Sequence, residues 1–241
     1  MLEAAFWGFV GGFALLVGAV IGLRTRLPQR VVGGVMAFGA GVLISAVAFD
    51  LVEEGFEKAG TGPVLGGLAA GALTFFLGDA IIDRRGGDHR KRSGGQQAAG
   101  ASAAIVLGAV LDGIPESAAI GVSLLGGGTV SVAVVVAVFL SNVPESLSAA
   151  VGLRTAGHSP RAILALWSVV AVVSAIAAAL GYALLGDASP ASVAVVQAFA
   201  AGAILTMLAD TMMPEAFQED GRLTGLLTTA GFVTAFLVSH L

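Results

Sequence analysis

Long runs without a charged residue dominate the chain. Ala4–Leu23 (20 residues), Val31–Phe49 (19), Ala162–Gly186 (25) and Ala188–Ala209 (22) contain no Asp, Glu, Lys or Arg. About 20 mostly apolar residues in a helix cross the ~30 Å of bilayer hydrocarbon, so each run predicts a membrane-spanning helix. Gly62–Gly78 and Leu223–Ser239 are shorter and equally free of charge. Ala101–Leu125 and Thr129–Leu153 are apolar except for Asp112, Glu116 and Glu145. The pattern predicts eight transmembrane helices in an all-α membrane protein. The first span does not look like a cleavable signal, because Glu3 precedes it, no basic residue flanks it and its apolar run is long.

The basic residues give an independent reading of the same count. With the N-terminus outside, the loops after spans 1, 3, 5 and 7 are cytoplasmic. They hold Arg24, Arg26 and Arg30; Arg84, Arg85, Arg90, Lys91 and Arg92; Arg154 and Arg161; and Arg222, which is eleven of the twelve basic residues. Only Lys58 falls elsewhere. Cytoplasmic loops are enriched in Lys and Arg, so an even number of spans with both termini outside is expected, in the cell membrane. Composition agrees: 56% of residues are hydrophobic and 12% charged, against about 25% charged in a globular domain. The absence of cysteine excludes disulfides, thiolate metal sites and cysteine nucleophiles. The net charge of −4 comes from loop acids and intramembrane carboxylates, and no nucleic-acid partner is expected.

Two internal repeats organise the chain. Val35–Gly60 aligns without gaps with Val196–Gly221, with nine of 26 positions identical, among them Gly41/Gly202, Glu54/Glu215, Phe56/Phe217 and Gly60/Gly221. These segments belong to spans 2 and 7, which cross in opposite directions. Shared sequence with reversed topology is a mark of inverted-repeat transporters. The second repeat is DGIPES (Asp112–Ser117) against SNVPES (Ser141–Ser146), 29 residues apart in spans 4 and 5. The predicted plan is a single transmembrane domain in a 3+2+3 arrangement. Residues 1–83 form one three-helix repeat, 84–100 a cytoplasmic loop, 101–153 a central pair, and 154–241 the second repeat.

The central pair carries the chemistry. An ionised side chain at the bilayer centre costs at least ~2.5 kcal/mol, and such residues face a cavity or a partner. Pro115 and Pro144 precede Glu116 and Glu145. Each proline lacks the N–H that would bond four residues back, which frees the carbonyls of Leu111 and Leu140. Asp112 shares a helical face with Glu116, and Ser141 with Glu145, because each pair is four residues apart. Two such faces turned together would offer three carboxylates, a hydroxyl, the Asn142 amide and two carbonyls. No basic residue lies in a span to neutralise the acids, so they bind a cation or take up protons. Oxygen clusters of this kind suit divalent metals, and hard ions in particular.

On these residues the chain resembles the ZIP (Zrt/Irt-like) metal transporters, nearest to their bacterial GufA-like, zinc-uptake branch. The likeness covers the eight spans, the outside termini, the 3+2+3 plan and the central proline-glutamate pair. It implies transport of a divalent cation by alternating access, with zinc as the family's default and manganese, iron or cadmium as alternatives. The metal is cargo; no cofactor is expected, and the protein is not expected to be an enzyme. Within the family, spans 4 and 5 carry HN-x-PE-G and H-[ND]-x-PE-G patterns. By that match Glu116 and Glu145 are metal-binding glutamates, Asn142 a second ligand of span 5, and Asp112 stands where the span 4 histidine would be. Gly113 replaces an asparagine, Ser141 a histidine, Ser117 and Ser146 the motif glycines, and span 6 has no acid. The expected site is therefore one oxygen-only centre of Asp112, Glu116, Ser141, Asn142 and Glu145, which shifts the expectation toward manganese, ferrous iron, magnesium or calcium.

Other polar residues mark a path in and out. Asp50, Glu53, Glu54 and Glu57 cluster at the outer end of span 2, as a cation funnel or as a solvated helix end. Asp79 and Asp83 close span 3 beside Arg84 and Arg85, as an exit or as interfacial acids. Asp210 and Glu215 mark the inner part of span 7, where relatives carry a histidine-glutamate pair that Ala209 and Asp210 would match. His89 lies in a basic linker, His158 and His240 at helix ends, and Trp7 and Trp167 suit interfacial anchors. The lipid bilayer is the expected surrounding, and a homodimer is compatible with the pattern. Alternatives are a ZIP relative that has lost its site and does not transport, and an intramembrane hydrolase, which would leave the duplicated PES unexplained.

Overall fold

The computed structural model describes residues 1–25, 27–84, 102–126 and 130–239. They are almost entirely helical and include no strand. Eight long helices run through them: α1 (Leu2–Arg24), α2 (Gln29–Ala59), α3 (Thr61–Ile82), α4 (Ser102–Ser123), α5 (Val132–Thr155), α6 (Pro160–Leu185), α7 (Pro190 through Asp220) and α8 (Thr224–Ser239). Among the described residues, all of these except α4 have an uninterrupted stretch long and apolar enough to cross a membrane. The chain is thus an all-α, multi-pass membrane protein. The expected 84–100 loop falls outside the described residues apart from Arg84, as do Arg26, His89 and His240.

Local chemistry sets the helix ends. The Ser131, Ser159 and Ser189 hydroxyls each accept a backbone N–H of the following first turn at 3.2 Å, from Val134, Ala162 and Ser192. Pro160 and Pro190 occupy first-turn positions, where no N–H is needed. At the other ends of α2 and α7, Gly60 and Gly221 take φ of 72° and 71°, a region that side chains disfavour and that stops a helix.

Helices α2 and α7 are longer than their charge-free runs. The runs stop at Phe49 and Ala209, whereas α2 continues to Ala59 and α7 to Asp220. Asp50, Glu53, Glu54 and Glu57 thus lie in α2 and Asp210 and Glu215 in α7, as their placement in spans 2 and 7 anticipates. A charge-free run measures hydrocarbon thickness, and glutamates and lysines continue a helix readily once it leaves the apolar layer. Each helix contains a π segment, Val47–Glu53 in α2 and Leu208–Met212 in α7. Val47 and Leu208 are matched positions of the 26-residue repeat. Such segments are rare and concentrate at functional sites.

Packing puts α2, α5 and α7 inside. In α5, 72% of the apolar window is buried, against 17% in α8 and 28% in α3. The outward faces of α1, α3, α6 and α8 expose Phe6, Phe9, Phe13, Leu73, Phe76, Ile176 and Leu226, as lipid-facing helices do. Helix α1 packs along α5 and α6, α4 along α6, α2 along α8 and α3 along α7. Glycine permits the closest approaches. A side-chain carbon on Gly41 (α2) would collide with the Thr228 carbonyl of α8, and one on Gly231 (α8) with the Phe38 carbonyl of α2. Gly202 (α7) and the Leu68 carbonyl of α3, and Gly71 (α3) and the Phe199 carbonyl of α7, repeat that arrangement. Trp167 departs from its expected role: it is 1% exposed, within a core cluster with Leu15, Ala19 and Leu153. Trp7 is half-buried.

Gly71→Ala should therefore destabilise the protein by about 1–3 kcal/mol through overpacking against backbone. Gly66→Ala, which meets nothing within 4 Å, should be neutral or slightly stabilising. Thermal unfolding of the two detergent-purified variants checks the pair.

Candidate intramembrane cation site

Pro115 and Pro144 lie inside α4 and α5, which continue through them. Glycines of neighbouring helices press on the proline turn of α5. A Cβ on Gly39 of α2 would lie 2.9 Å from the Leu140 carbonyl oxygen, the group that Pro144 cannot bond. One on Gly18 of α1 would collide with the Val143 carbonyl and the Ser146 hydroxyl. The α4 side is roomier. A Cβ on Gly113 would find its nearest neighbour, the Ser174 hydroxyl of α6, at 3.5 Å, an ordinary contact.

All five expected ligands are buried. Asp112, Glu116, Ser141, Asn142 and Glu145 are each at most 5% exposed, and Ser117 and Ser146 are enclosed with them. No lysine, arginine or histidine is buried among the described residues. The Ser141 hydroxyl of α5 reaches Glu116 Oε1 of α4 at 3.4 Å, while its shorter contact, 3.0 Å, is to the Val138 carbonyl of its own helix. Asn142 points elsewhere: its Nδ2 donates to the Gly11 carbonyl of α1 at 3.1 Å. The Ser146 hydroxyl donates back to the Asn142 carbonyl at 2.8 Å.

The structure thus brings Ser141 and Glu116 together and turns Asn142 toward α1. Consecutive residues of an α-helix are rotated by about 100°, so Ser141 and Asn142 cannot both face α4. Three carboxylates were expected to converge here. Among the described residues, no three Asp, Glu, His or Cys side chains lie close enough to hold a metal ion between them.

The path residues divide by exposure. Asp50, in the π segment of α2, is half-buried and accepts from the Ser131 hydroxyl at 3.1 Å, which ties α2 to the residue that caps α5. Glu53 is exposed. Glu54 is half-buried, held by an ion pair with Lys58 and by the Gln197 amide at 3.0 Å. Asp79 is buried, Asp83 half-buried and Asp210 exposed in the π segment of α7. Glu215 is buried and accepts from the Ser148 hydroxyl of α5 at 3.0 Å.

Sequence reasoning missed Gln197 and Ser148. The available signal for Gln197 was its being the lone amide within the charge-free run Ala188–Ala209. A cleft of about 590 Å³ opens where α1 and α5 end and α2 begins, lined by Arg24, Gln29, Leu147 and Arg154 among others. Among the described residues its lining includes two arginines and no carboxylate. No protein-family model matches the chain, and no curated protein matches it.

Because its amide is committed to the Gly11 carbonyl, Asn142 has a structural role that needs no metal. Asn142→Ala should cost about 0.5–1.5 kcal/mol, read as a lower Tm in metal-free protein. An unchanged Tm would mean that the bond to α1 contributes nothing.

Proposed function

We propose that the chain transports divalent metal cations across the cell membrane through a site between α4 and α5, as the resemblance to ZIP transporters implies. One observation carries this reading: Asp112, Glu116 and Glu145 are buried in an apolar bundle with no basic side chain buried among the described residues. Buried carboxylates call for a compensating charge or hydrogen-bond donors, and a transported cation supplies that charge. In this reading the chain has the 3+2+3 plan with both termini outside. The matched π segments, the matched glycines at φ of 72° and 71°, and the reciprocal glycine contacts of α2 with α8 and α7 with α3 support an inverted repeat.

The mechanism follows from these placements. A hydrated cation approaches by Asp50, Glu53 and Glu54 at the Gly60 end of α2. It then exchanges water for Asp112, Glu116, Glu145 and the Ser141 hydroxyl, while Asn142 stays bonded to α1. Its charge draws the carboxylates together, and rocking of the repeat helices against α4 and α5 releases it toward Asp79, Asp83 and Asp210. A donor set of oxygens favours manganese, ferrous iron, magnesium or calcium over softer ions, while the resemblance favours zinc. The second reading, a relative that has lost transport, rests on the lack of a three-acid group among the described residues.

Initial uptake into proteoliposomes tests the proposal, with zinc, cadmium, manganese, ferrous iron, magnesium and calcium offered singly. Saturable uptake of at least one ion is expected, falling to the level of empty vesicles in Glu116→Gln and in Glu145→Gln, with monodisperse elution retained. No uptake of any ion by folded wild-type protein would favour the non-transporting reading. Wild-type rates in both variants would remove the central site.

A further inference from the structure

We propose a second cation-binding station at the Gly60 end of α2, formed by the Glu54 carboxylate and the Gln197 carboxamide, where a divalent cation displaces the Lys58 ammonium. The idea deepens the transport reading and rests on it for its purpose, but its geometry stands separately. Gln197 of α7 is 1% exposed, and its Nε2 donates to Glu54 Oε2 at 3.0 Å. Its Oε1 is buried with no hydrogen-bond partner among the described residues. A buried carbonyl oxygen without a donor is costly, and a hard cation satisfies it as well as a donor does. A carboxamide has nearly the same shape when turned end for end. That turn replaces the N–H donated to Glu54 with an oxygen facing the same carboxylate, so that a cation between them is bound by both, and moves the carboxamide NH2 to the buried position that Oε1 leaves.

Lys58 shows that this carboxylate already accommodates a positive charge. Its ammonium pairs with Glu54 Oε1, one helical turn away, and its side chain is 27% exposed, so a flexible stem can carry it out to water. Glu53 and Glu57 are exposed at the same end and raise the local cation concentration. Asp50 is engaged with Ser131 and serves α5 instead. Two protein oxygens leave most of the coordination shell to water, which suits an ion that has not yet lost its hydration.

The other repeat does without this station. The position matched to Gln197 is Met36, buried and apolar, and the position matched to Lys58 is Glu219. The shared backbone frame, with its π segment and terminal glycine, is therefore built without the amide and the lysine. Glu215, matched to Glu54, is held by Ser148 of α5. The pair at Glu54 thus distinguishes one end of the molecule from the other.

Electron paramagnetic resonance of Mn²⁺ titrated into the full-length purified protein tests the station. In a Glu116→Gln/Glu145→Gln background one Mn²⁺ per chain should remain. Gln197→Met, which copies the matched residue of the other repeat, and Glu54→Gln should each weaken it about tenfold or more. Lys58→Gln should tighten it. Should the double background fail to fold, the same Gln197→Met substitution in wild-type protein should reduce the count by one Mn²⁺ per chain. Mn²⁺ binding unaffected by Gln197→Met, or no Mn²⁺ bound outside α4 and α5, overturns the station and leaves the central site standing. Mn²⁺ bound at Glu54 in a protein that transports nothing leaves the station standing and removes the transport reading.

Discussion

The arrangement depends on carboxylates buried where, among the described residues, no basic side chain is buried with them. Asp112, Glu116 and Glu145 lie within a bundle whose outer faces are phenylalanine, leucine and isoleucine. Ionised acids in such surroundings are tolerated only with compensation. The neighbouring helices supply polar contacts, from the Ser141 hydroxyl at Glu116 to the Ser148 hydroxyl at Glu215. In the proposed reading, a transported cation is the compensation that would also account for the presence of such acids. The two prolines serve the same end, because each frees a backbone carbonyl one turn from a glutamate.

Around this centre, small residues let backbones come close enough to fix the acids. Gly39 and Gly18 bring α2 and α1 against the proline turn of α5, where larger residues would hold them away. The pairs Gly41/Gly231 and Gly202/Gly71 join α2 to α8 and α7 to α3 in the same manner. Each of those units contains a π segment and ends its long helix at a glycine with positive φ. A π segment adds a residue to a turn and so resets the phase of everything beyond it. In α2 that phase places Glu54 against Gln197, and in α7 it places Glu215 against Ser148.

Much of the architecture was legible in the run of apolar residues. The first span was read as Ala4–Leu23 and is Leu2–Arg24; the sixth was read as Ala162–Gly186 and is Pro160–Leu185. The ends of α2 and α7 were legible in the repeat, which runs to Gly60 and Gly221, and not in the charge-free runs, since charge marks where a helix leaves hydrocarbon and not where it stops. Burial of the five central residues followed from their position in apolar spans. The division of labour between Ser141 and Asn142 did not, because it depends on which neighbour each side of α5 meets. Gln197 escaped for a related reason: an uncharged amide does not interrupt an apolar run, and its importance comes from Glu54, 143 residues away in sequence. Trp167 shows the converse error, an aromatic with a polar N–H that packing draws into the core.

The most direct measurement is anomalous diffraction from crystals grown with Mn²⁺ or Cd²⁺. The account predicts a peak between α4 and α5, within about 2.0–2.6 Å of carboxylate oxygens of Glu116 and Glu145, with Asp112 drawn toward it. Peaks confined to the helix ends, with none between the two proline turns at saturating metal, would contradict it.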